Sequence, residues 1–341
     1  MKELEDIDTT DMNAMVASFP QMLRSGALSD EILGEAERIR KVGIDGICLI
    51  GMGGSAIAGE IVKCLLADSA EKPILTIRDY VLPKTVNSRW VVVAVSYSGN
   101  TEETISGFKE AESRGSSTFV ITTGGVLLDI SDEKRVHVMP TGFQPRAALP
   151  IIFAGVLPLV ETLLNLNLTD LDEVSRGLEL ASTRWNSSDL EPGRLAKSLQ
   201  DKIPVFIGWR HLIPVAYRAK CQCNENSKAF ASSIQIPEMY HNEIEGTLSC
   251  KTHPISPVFL RSREEDEKAR IGIESAAEIF KENGCQPKHL NLGFDSRIEE
   301  TLGFTMYLDT VSVSLAEILG VDPMSVDRIA MLKKNLKVRE R

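Results

Sequence analysis

Three short hydroxyl side chains, Ser96, Ser98 and Thr101, crowd the stretch AVSYSGNT at residues 94–101, with Gly99 among them. Hydroxyls of this length donate hydrogen bonds without filling the space in front of them, which suits an anion held close to the backbone. The preceding residues, Trp90-Val91-Val92-Val93-Ala94-Val95, form a nearly continuous β-branched run, the pattern of a strand buried on both faces. The following residues, Thr101-Glu102-Glu103-Thr104, read as the acidic first turn of a helix. Strand, hydroxyl-rich turn and helix N-terminus in succession present N–H groups with partial positive charge, where a phosphate binds. An N-cap with a Ser/Thr turn is the plainer reading, and it needs only one or two of these groups.

A second turn, Gly51-Met52-Gly53-Gly54-Ser55-Ala56, also follows a strand and opens a helix. It fits the dinucleotide pattern G-x-G-x-x-A. The acid that a nicotinamide cofactor requires about 20 residues further on is poorly matched, because Asp79 lies too far along and follows Arg78. Two neighbouring anion turns suit one compact phosphate better than an extended dinucleotide, so a sugar phosphate is favoured. Glycines that serve only close helix–sheet packing are the structural alternative.

Further along, CQCNENSKAFASSIQIPEMYHNEIEG carries Glu225 between two asparagines and His241 between Tyr240 and Asn242. A carboxylate and an imidazole flanked by amides and a phenol are candidates for general acid–base chemistry. Each also has a bland explanation, as a solvated helix glutamate and a structural histidine. The remaining histidines, His137, His211, His253 and His289, lie apart, and Cys221-Gln222-Cys223 lacks a second pair at zinc-finger spacing. Neither a metal-dependent reaction nor a structural zinc site is therefore expected.

The elements that must position these residues alternate. GIDGICLIGMGGS is strand and turn, AIAGEIVKCLLADS helix, PILTIRDY strand, WVVVAVS strand, TEETISGFKEAESRG helix, and STFVITTG strand. Such alternation implies βαβ units and a parallel sheet covered on both faces. Ligands in these sheets lie beyond the carboxyl ends of the strands, which singles out Gly51–Ser55 and Ser96–Thr101 together. After an apolar helix at 147–166 and the polar stretch STRWNSSDLEPGR, a second alternating block begins, closed by a helix from about Arg297 to Leu319 and a short one ending in RIAMLKKNL. The expectation is α/β with two domains, residues 1–165 and 185–341.

Composition narrows the partners. At 341 residues, 43% hydrophobic and 25% charged, the chain reads as globular and soluble. Its acidic beginning is not a signal peptide, and its longest apolar run, Ala147 to Val160, is short and interrupted by proline. No membrane association is expected, and six scattered cysteines suit a reducing, cytoplasmic location. The formal charge of −10 argues against nucleic acid, although a local donor cluster can still hold a small anion.

GMGGSAIAG, SYSGNTEET, QPR at 144–146, NENSK at 224–228 and HNEIEG at 241–246 together resemble the bifunctional phosphoglucose/phosphomannose isomerase family. SGNT by itself is only a signature of sugar isomerase (SIS) domains, shared with regulators and aminotransferring synthases, whereas NEN with HNE in one chain is far more specific. The resemblance implies two SIS-type domains, each a parallel sheet flanked by helices. It implies a metal-independent, cofactor-free isomerase that interconverts glucose 6-phosphate and mannose 6-phosphate with fructose 6-phosphate through a cis-enediolate. Gly53 and Gly54 would line the substrate site, and Ser55, Ser96, Ser98 and Thr101 would hold the phosphate. Arg146 would stabilise the enediolate, Glu225 would move the proton between C1 and C2, and His241 would assist ring opening. A lysine near the C-terminus would also serve ring opening; Lys333 fits the pattern, with adjacent Lys334 the other register. Epimer choice would come from groups around the C2 hydroxyl, for which a small hydroxyl residue such as Ser325 is the expectation. The resemblance also implies a homodimer with shared active sites, in which His241 enters from the partner.

The residue types agree with that chemistry. One carboxylate on one face can move a proton between adjacent carbons without a redox cofactor. Arginine stays charged at any working pH and can face the enediolate oxygens. The loop IQIPEMYHNEIEG is apolar at Ile234, Ile236, Met239, Tyr240 and Ile244, so it should be buried against something, and a partner chain is the expectation. A non-catalytic sugar-phosphate sensor would keep the hydroxyl turn and need neither Glu225 nor His241. A nicotinamide dehydrogenase is the third reading.

Overall fold

A computed structural model describes residues 4–186 and 189–339. The chain divides into two compact units. The first holds Ala14–Thr183, the segment ending at Thr9, and Phe294–Gly303; the second holds Thr10–Asn13, Arg184–Gly293 and the residues from Phe304 onward.

Three helices, α1 (Met12–Ala17), α2 (Phe19–Ser25) and α3 (Asp30–Val42), precede the first sheet. Its strands are β1 (Gly46–Ile50), β2 (Ile74–Ile77), β3 (Trp90–Ser96), β4 (Ser117–Thr122) and β5 (Val136–Val138). They are parallel in the order β2-β1-β3-β4-β5. β1 and β3 are buried along their whole lengths, as their unbroken apolar runs require. The crossovers are α4 (Gly53–Leu65), α5 (Glu102–Ser113) and the short α6 (Gly125–Asp129). The apolar helix α7 (Leu149–Leu164) packs against α2, α3 and α4. Apolar on all sides, it can only sit in an interior. Its buried Glu161 accepts from the Thr169 N–H at 3.0 Å and hydroxyl at 2.5 Å, and burial raises that carboxyl above its ordinary range.

The expected first domain ended at residue 165, whereas helix α8 (Leu171–Asn186) lies with the first unit as far as Thr183. Polar ties account for this: Arg24 Nη1 donates to Ser175 Oγ at 2.6 Å and to Glu179 Oε1 at 2.7 Å, and Ser175 donates to the Pro20 carbonyl at 2.9 Å. The segment Phe294–Gly303 joins the same unit through Arg297, which pairs with Asp68 at 2.7 Å.

In the second unit α9 (Pro192–Leu199) leads to β6 (Ile203–Trp209), α10 (Ile213–Glu225), β7 (Ser232–Ile236), β8 (Ile255–Leu260), α11 (Glu267–Glu282) and β9 (Lys288–Leu290). These strands are also parallel, in the order β7-β6-β8-β9. α12 (Arg297–Leu319) and α13 (Asp327–Arg339) close the chain. α12 is long and apolar enough to cross a membrane, and 72% of its most apolar window is buried inside the protein. The α/β architecture with two parallel sheets matches the sequence reading. The edge strand β7 was not foreseen: Ser233 and Gln235 interrupt its apolar pattern, and it is only partly buried.

Candidate active site

In the first sheet the chain leaves β1 for the edge strand β2 and then returns to β3 on the other side, so the crevice between the carboxyl ends of β1 and β3 is the topological switch point. Both predicted anion turns lie there. α4 begins at Gly53 and α5 at Glu102, and neither has a side chain capping its N-terminus. Their first N–H groups and the positive ends of their dipoles therefore remain free of side-chain acceptors.

The hydroxyls are already oriented. Ser96 Oγ accepts from Gly99 N at 3.1 Å and lies 3.0 Å from Thr101 Oγ1. One proton of that hydroxyl pair serves the mutual bond, which leaves the other to donate outward. Ser98 Oγ accepts from Asn100 N at 3.3 Å, and its own proton is likewise available on the exposed side of the turn. Ser55, on the first turn of α4, is buried, and its hydroxyl donates to no protein group among the described residues. Gly99 has a positive φ of 66°, and a β-carbon there would overlap the Gly124 carbonyl, so this turn demands glycine.

Arg146 is drawn to the same crevice. A β-carbon on Gly54 would lie 3.2 Å from the Pro145 carbonyl and 3.7 Å from Arg146 Cα, so glycine lets the arginine segment rest on the turn. Arg146 is 5% exposed, and its Nη1 donates to Gln144 Oε1 at 3.3 Å. Tyr97, which the sequence reading passed over, links the two segments: its hydroxyl donates to the Pro140 carbonyl at 3.2 Å and accepts from Phe143 N at 3.1 Å. Burial raises the phenol above its ordinary value, so it stays protonated for the bond it donates. Gly53, Gly54, Ser55, Ser96, Ser98, Thr101 and Arg146 thus gather in one crevice of one unit.

The other candidates lie in the second unit. Glu225 is the last residue of α10, half-buried, and its carboxylate has no hydrogen-bond or ion-pair partner among the described residues. Its neighbours are anchored. Asn226 Nδ2 donates to Ser312 Oγ at 2.9 Å and Ser227 Oγ donates to the Ser312 carbonyl at 2.5 Å, holding the helix end to α12. One turn of α12 earlier, Asp309 takes a two-pronged bond from Arg218 of α10, at 2.9 and 2.6 Å, with both side chains buried.

His241 closes the 3-10 turn Glu238–His241 and is exposed. Here the expectation about the apolar loop is corrected. Ile236 and Met239 are fully covered by the second unit's own core, and Ile234, Tyr240 and Ile244 pack against the same cluster. Tyr240 lies over Gly272 of α11, where a β-carbon would sit 2.5 Å from the phenol oxygen. The apolar side chains therefore need no partner to cover them. α10 descends from the carboxyl end of β6 and β7 climbs back parallel to it, so Glu225 ends its helix on the side of the sheet where β7 starts, and His241 lies beyond the end of β7. Five residues of strand, about 17 Å, separate those ends.

Lys333 and Lys334 both lie on α13 and are exposed; Ser325 precedes that helix and is half-buried. The apolar side chains Ile329, Leu332 and Leu336 recur along α13 and are 41%, 59% and 53% exposed. Among the described residues no three His, Cys, Asp or Glu side chains gather as a metal site needs. Burial holds the thiols of Cys48 and Cys223 up at about 12 and that of Cys64 at about 11, which makes them poor nucleophiles.

The family model for the bacterial phospho-glucose isomerase C-terminal SIS domain matches residues 189–336. Over 296 residues the chain is 34% identical to the bifunctional phosphoglucose/phosphomannose isomerase of Aquifex aeolicus, covering 86% of this chain and 90% of that one. The chain belongs to the bifunctional phosphoglucose/phosphomannose isomerase family. A further relative of this family member, the D-glucosamine-6-phosphate 4-epimerase of Sulfolobus acidocaldarius, is 35% identical over 224 residues, covering 65% of this chain and 70% of its own. The fold matches the crystal structure of tagatose-6-phosphate ketose/aldose isomerase from Escherichia coli with a TM-score of 0.72 at 16% identity, over 92% of this chain and 95% of that one.

Proposed function

We propose that this protein interconverts glucose 6-phosphate and mannose 6-phosphate with fructose 6-phosphate, with the phosphate held by Ser55, Ser96, Ser98, Thr101 and the N-termini of α4 and α5. Glu225 takes a proton from C1 of the ketose, leaving a cis-enediolate, and returns it to C2 to give the aldose. The carboxylate is suited to this because no partner among the described residues competes for its lone pairs. Arg146 faces the enediolate charge as a fixed cation. His241 and Lys333 move the proton between the ring oxygen and the anomeric hydroxyl during ring opening. The enediolate is planar at C2, so the epimeric distinction is lost in it, and the face of C2 turned toward Glu225 when the proton returns sets which aldose forms. Written this way, the reaction calls on no metal and no redox cofactor. A sensor that only bound sugar phosphate would need the hydroxyl cradle and no unpaired carboxylate. We place the reaction in the cytoplasm, where free thiols such as Cys64 and Cys221 persist.

The observation that carries the shared-site reading is the separation of Glu225 and His241 by the length of β7. Each group must come within about 3 Å of neighbouring substrate atoms to transfer a proton. That separation supports a site in which a second copy supplies His241 to the Glu225 of the first. The uncovered apolar side chains of α13 suit burial in such a dimer.

Mixing Glu225→Gln with His241→Ala under conditions of subunit exchange tests this. Each variant alone should be nearly inert, and the mixed dimer should regain one complete site and up to half the activity per site. Silence from confirmed heterodimers would refute the shared site. Assays with glucosamine 6-phosphate alongside the hexose phosphates separate the isomerase reading from a 4-epimerase.

A further inference from the structure

Lys228 ends the NENSK stretch in a left-handed conformation, φ +53°, which favours glycine. Its ammonium nitrogen lies among four backbone carbonyl oxygens: Glu225 at 2.7 Å, Asn226 at 3.3 Å, Asp322 at 2.6 Å and Ser325 at 2.8 Å. The first two belong to the open end of α10. The preceding carbonyls there are already taken, Gln222 by Asn226 N at 2.7 Å and Cys223 by Ser227 N at 3.1 Å. The last two belong to the turn that leads into α13. A helix C-terminus carries partial negative charge and attracts a cation. Lys228 is exposed, yet one ammonium with three protons does not ordinarily gather four carbonyls from two chain segments.

We propose that Lys228 is a positioning residue for the isomerisation, its ammonium acting as a built-in cation that locks the end of α10, and with it Glu225, onto the 322–325 turn. This rests on the reading of Glu225 as the proton-transfer base. Because the Glu225 carboxylate has no side-chain partner among the described residues, its aim depends on the backbone that carries it. Asn226 and Ser227 tie that backbone to α12, and Lys228 supplies the tie to the segment before Lys333. A misplacement of about 1 Å in a proton-transfer group costs on the order of 10²-fold in rate. The phosphate turns belong to the other unit, so substrate binding should be far less affected than turnover.

A cage of carbonyls that holds an ammonium group will also hold a free one. The test is Lys228→Gly, which suits the left-handed backbone and leaves room for an added ion, with Lys228→Asn as a second variant tolerant of that backbone. Steady-state kinetics on fructose 6-phosphate are measured with ammonium or ethylammonium chloride, against tetramethylammonium chloride at equal ionic strength. The expected result is a kcat lowered about 10²-fold with KM within about threefold of wild type in both variants. Ammonium or ethylammonium should restore kcat saturably in Lys228→Gly, whereas tetramethylammonium, which donates no hydrogen bond, should not. A wild-type kcat, a loss that no ammonium ion restores, or failure of both variants to fold would overturn the proposal. Glu225→Gln measured in parallel keeps the two readings apart. If it turns over normally, the base assignment is wrong whatever Lys228 does. If it is inert while Lys228→Gly goes unrescued, only the role of Lys228 is lost.

Discussion

The two sheets reverse direction in the same way, β1 to β2 and back to β3 in one unit, β6 to β7 and back to β8 in the other. The turns at the two reversals differ in who satisfies their N–H groups. After β3, hydroxyls hold the turn and α5 has no side-chain cap. After β8, carboxylates from the turn itself do that work. Glu265 accepts from Ser262 N at 2.9 Å and from Arg261 Nε and Nη2 at 2.9 and 2.5 Å, and Asp266 caps α11 by accepting from Ala269 N at 2.7 Å. One topology thus carries a turn held by neutral hydroxyls in one unit and a turn satisfied by its own Glu265 and Asp266 in the other. A switch point marks where a ligand can bind; at the first one the hydroxyls and the uncapped start of α5 suit the anion proposed above.

Writing the acid into the first turn is the most damaging test of that contrast. Thr101→Asp should cap α5 and leave the fold as stable as before. It removes a charged hydrogen bond, about 1.5–3 kcal/mol, and places a like charge against the phosphate. KM for fructose 6-phosphate should rise about 10³-fold or more, and an unchanged KM would show that the phosphate lies elsewhere. Ser96→Ala is milder. It removes one donor without adding charge, so steady-state kinetics should show KM up by about 10- to 100-fold, with kcat falling less.

The converse change in the second unit should touch stability alone. Asp266→Ala deletes an N-cap and should cost about 1 kcal/mol in denaturant unfolding, with kcat and KM unaltered. A kinetic defect in that variant would mean that the second reversal also takes part in the site. The smallest effect concerns acid. His137 on β5 has a buried, unpartnered Nε2, and burial lowers its pKa below the ordinary 6.5, against a weaker opposing bond involving Gly26. A depressed folded-state value means that the unfolded chain binds the proton first. Its contribution is therefore present above about 6.5 and is lost as pH falls through the lower folded-state value. Urea titrations from neutral to mildly acidic pH should show that decline, and His137→Gln should flatten it.

Most of the first unit was legible because its signals are local. The run Trp90–Val95 could only be a doubly buried strand, and the hydroxyls and glycine after it could only be a tight turn before a helix. β7 was hidden because an edge strand with Ser233 and Gln235 has no clean period. Tyr97 was overlooked because a tyrosine beside an apolar strand looks like core until its hydroxyl is seen to bridge Pro140 and Phe143.

What the sequence by itself determined is the chemistry on offer: the types and spacing of Ser96, Ser98, Thr101, Glu225 and His241 follow from residue identity and from short-range periodicity. Only the tertiary structure decided which of them meet. Gly54 could be recognised as a glycine, but not as the place where the Arg146 backbone rests. Glu225 and His241 are sixteen positions apart in the chain, yet a helix descending and a strand climbing put them at opposite ends of β7. The apolar loop before His241 turned inward to its own core, because the neighbours that bury it come from α11 and β8, far along the chain. Distances across a fold depend on where long-range segments return, and no local pattern carries that information.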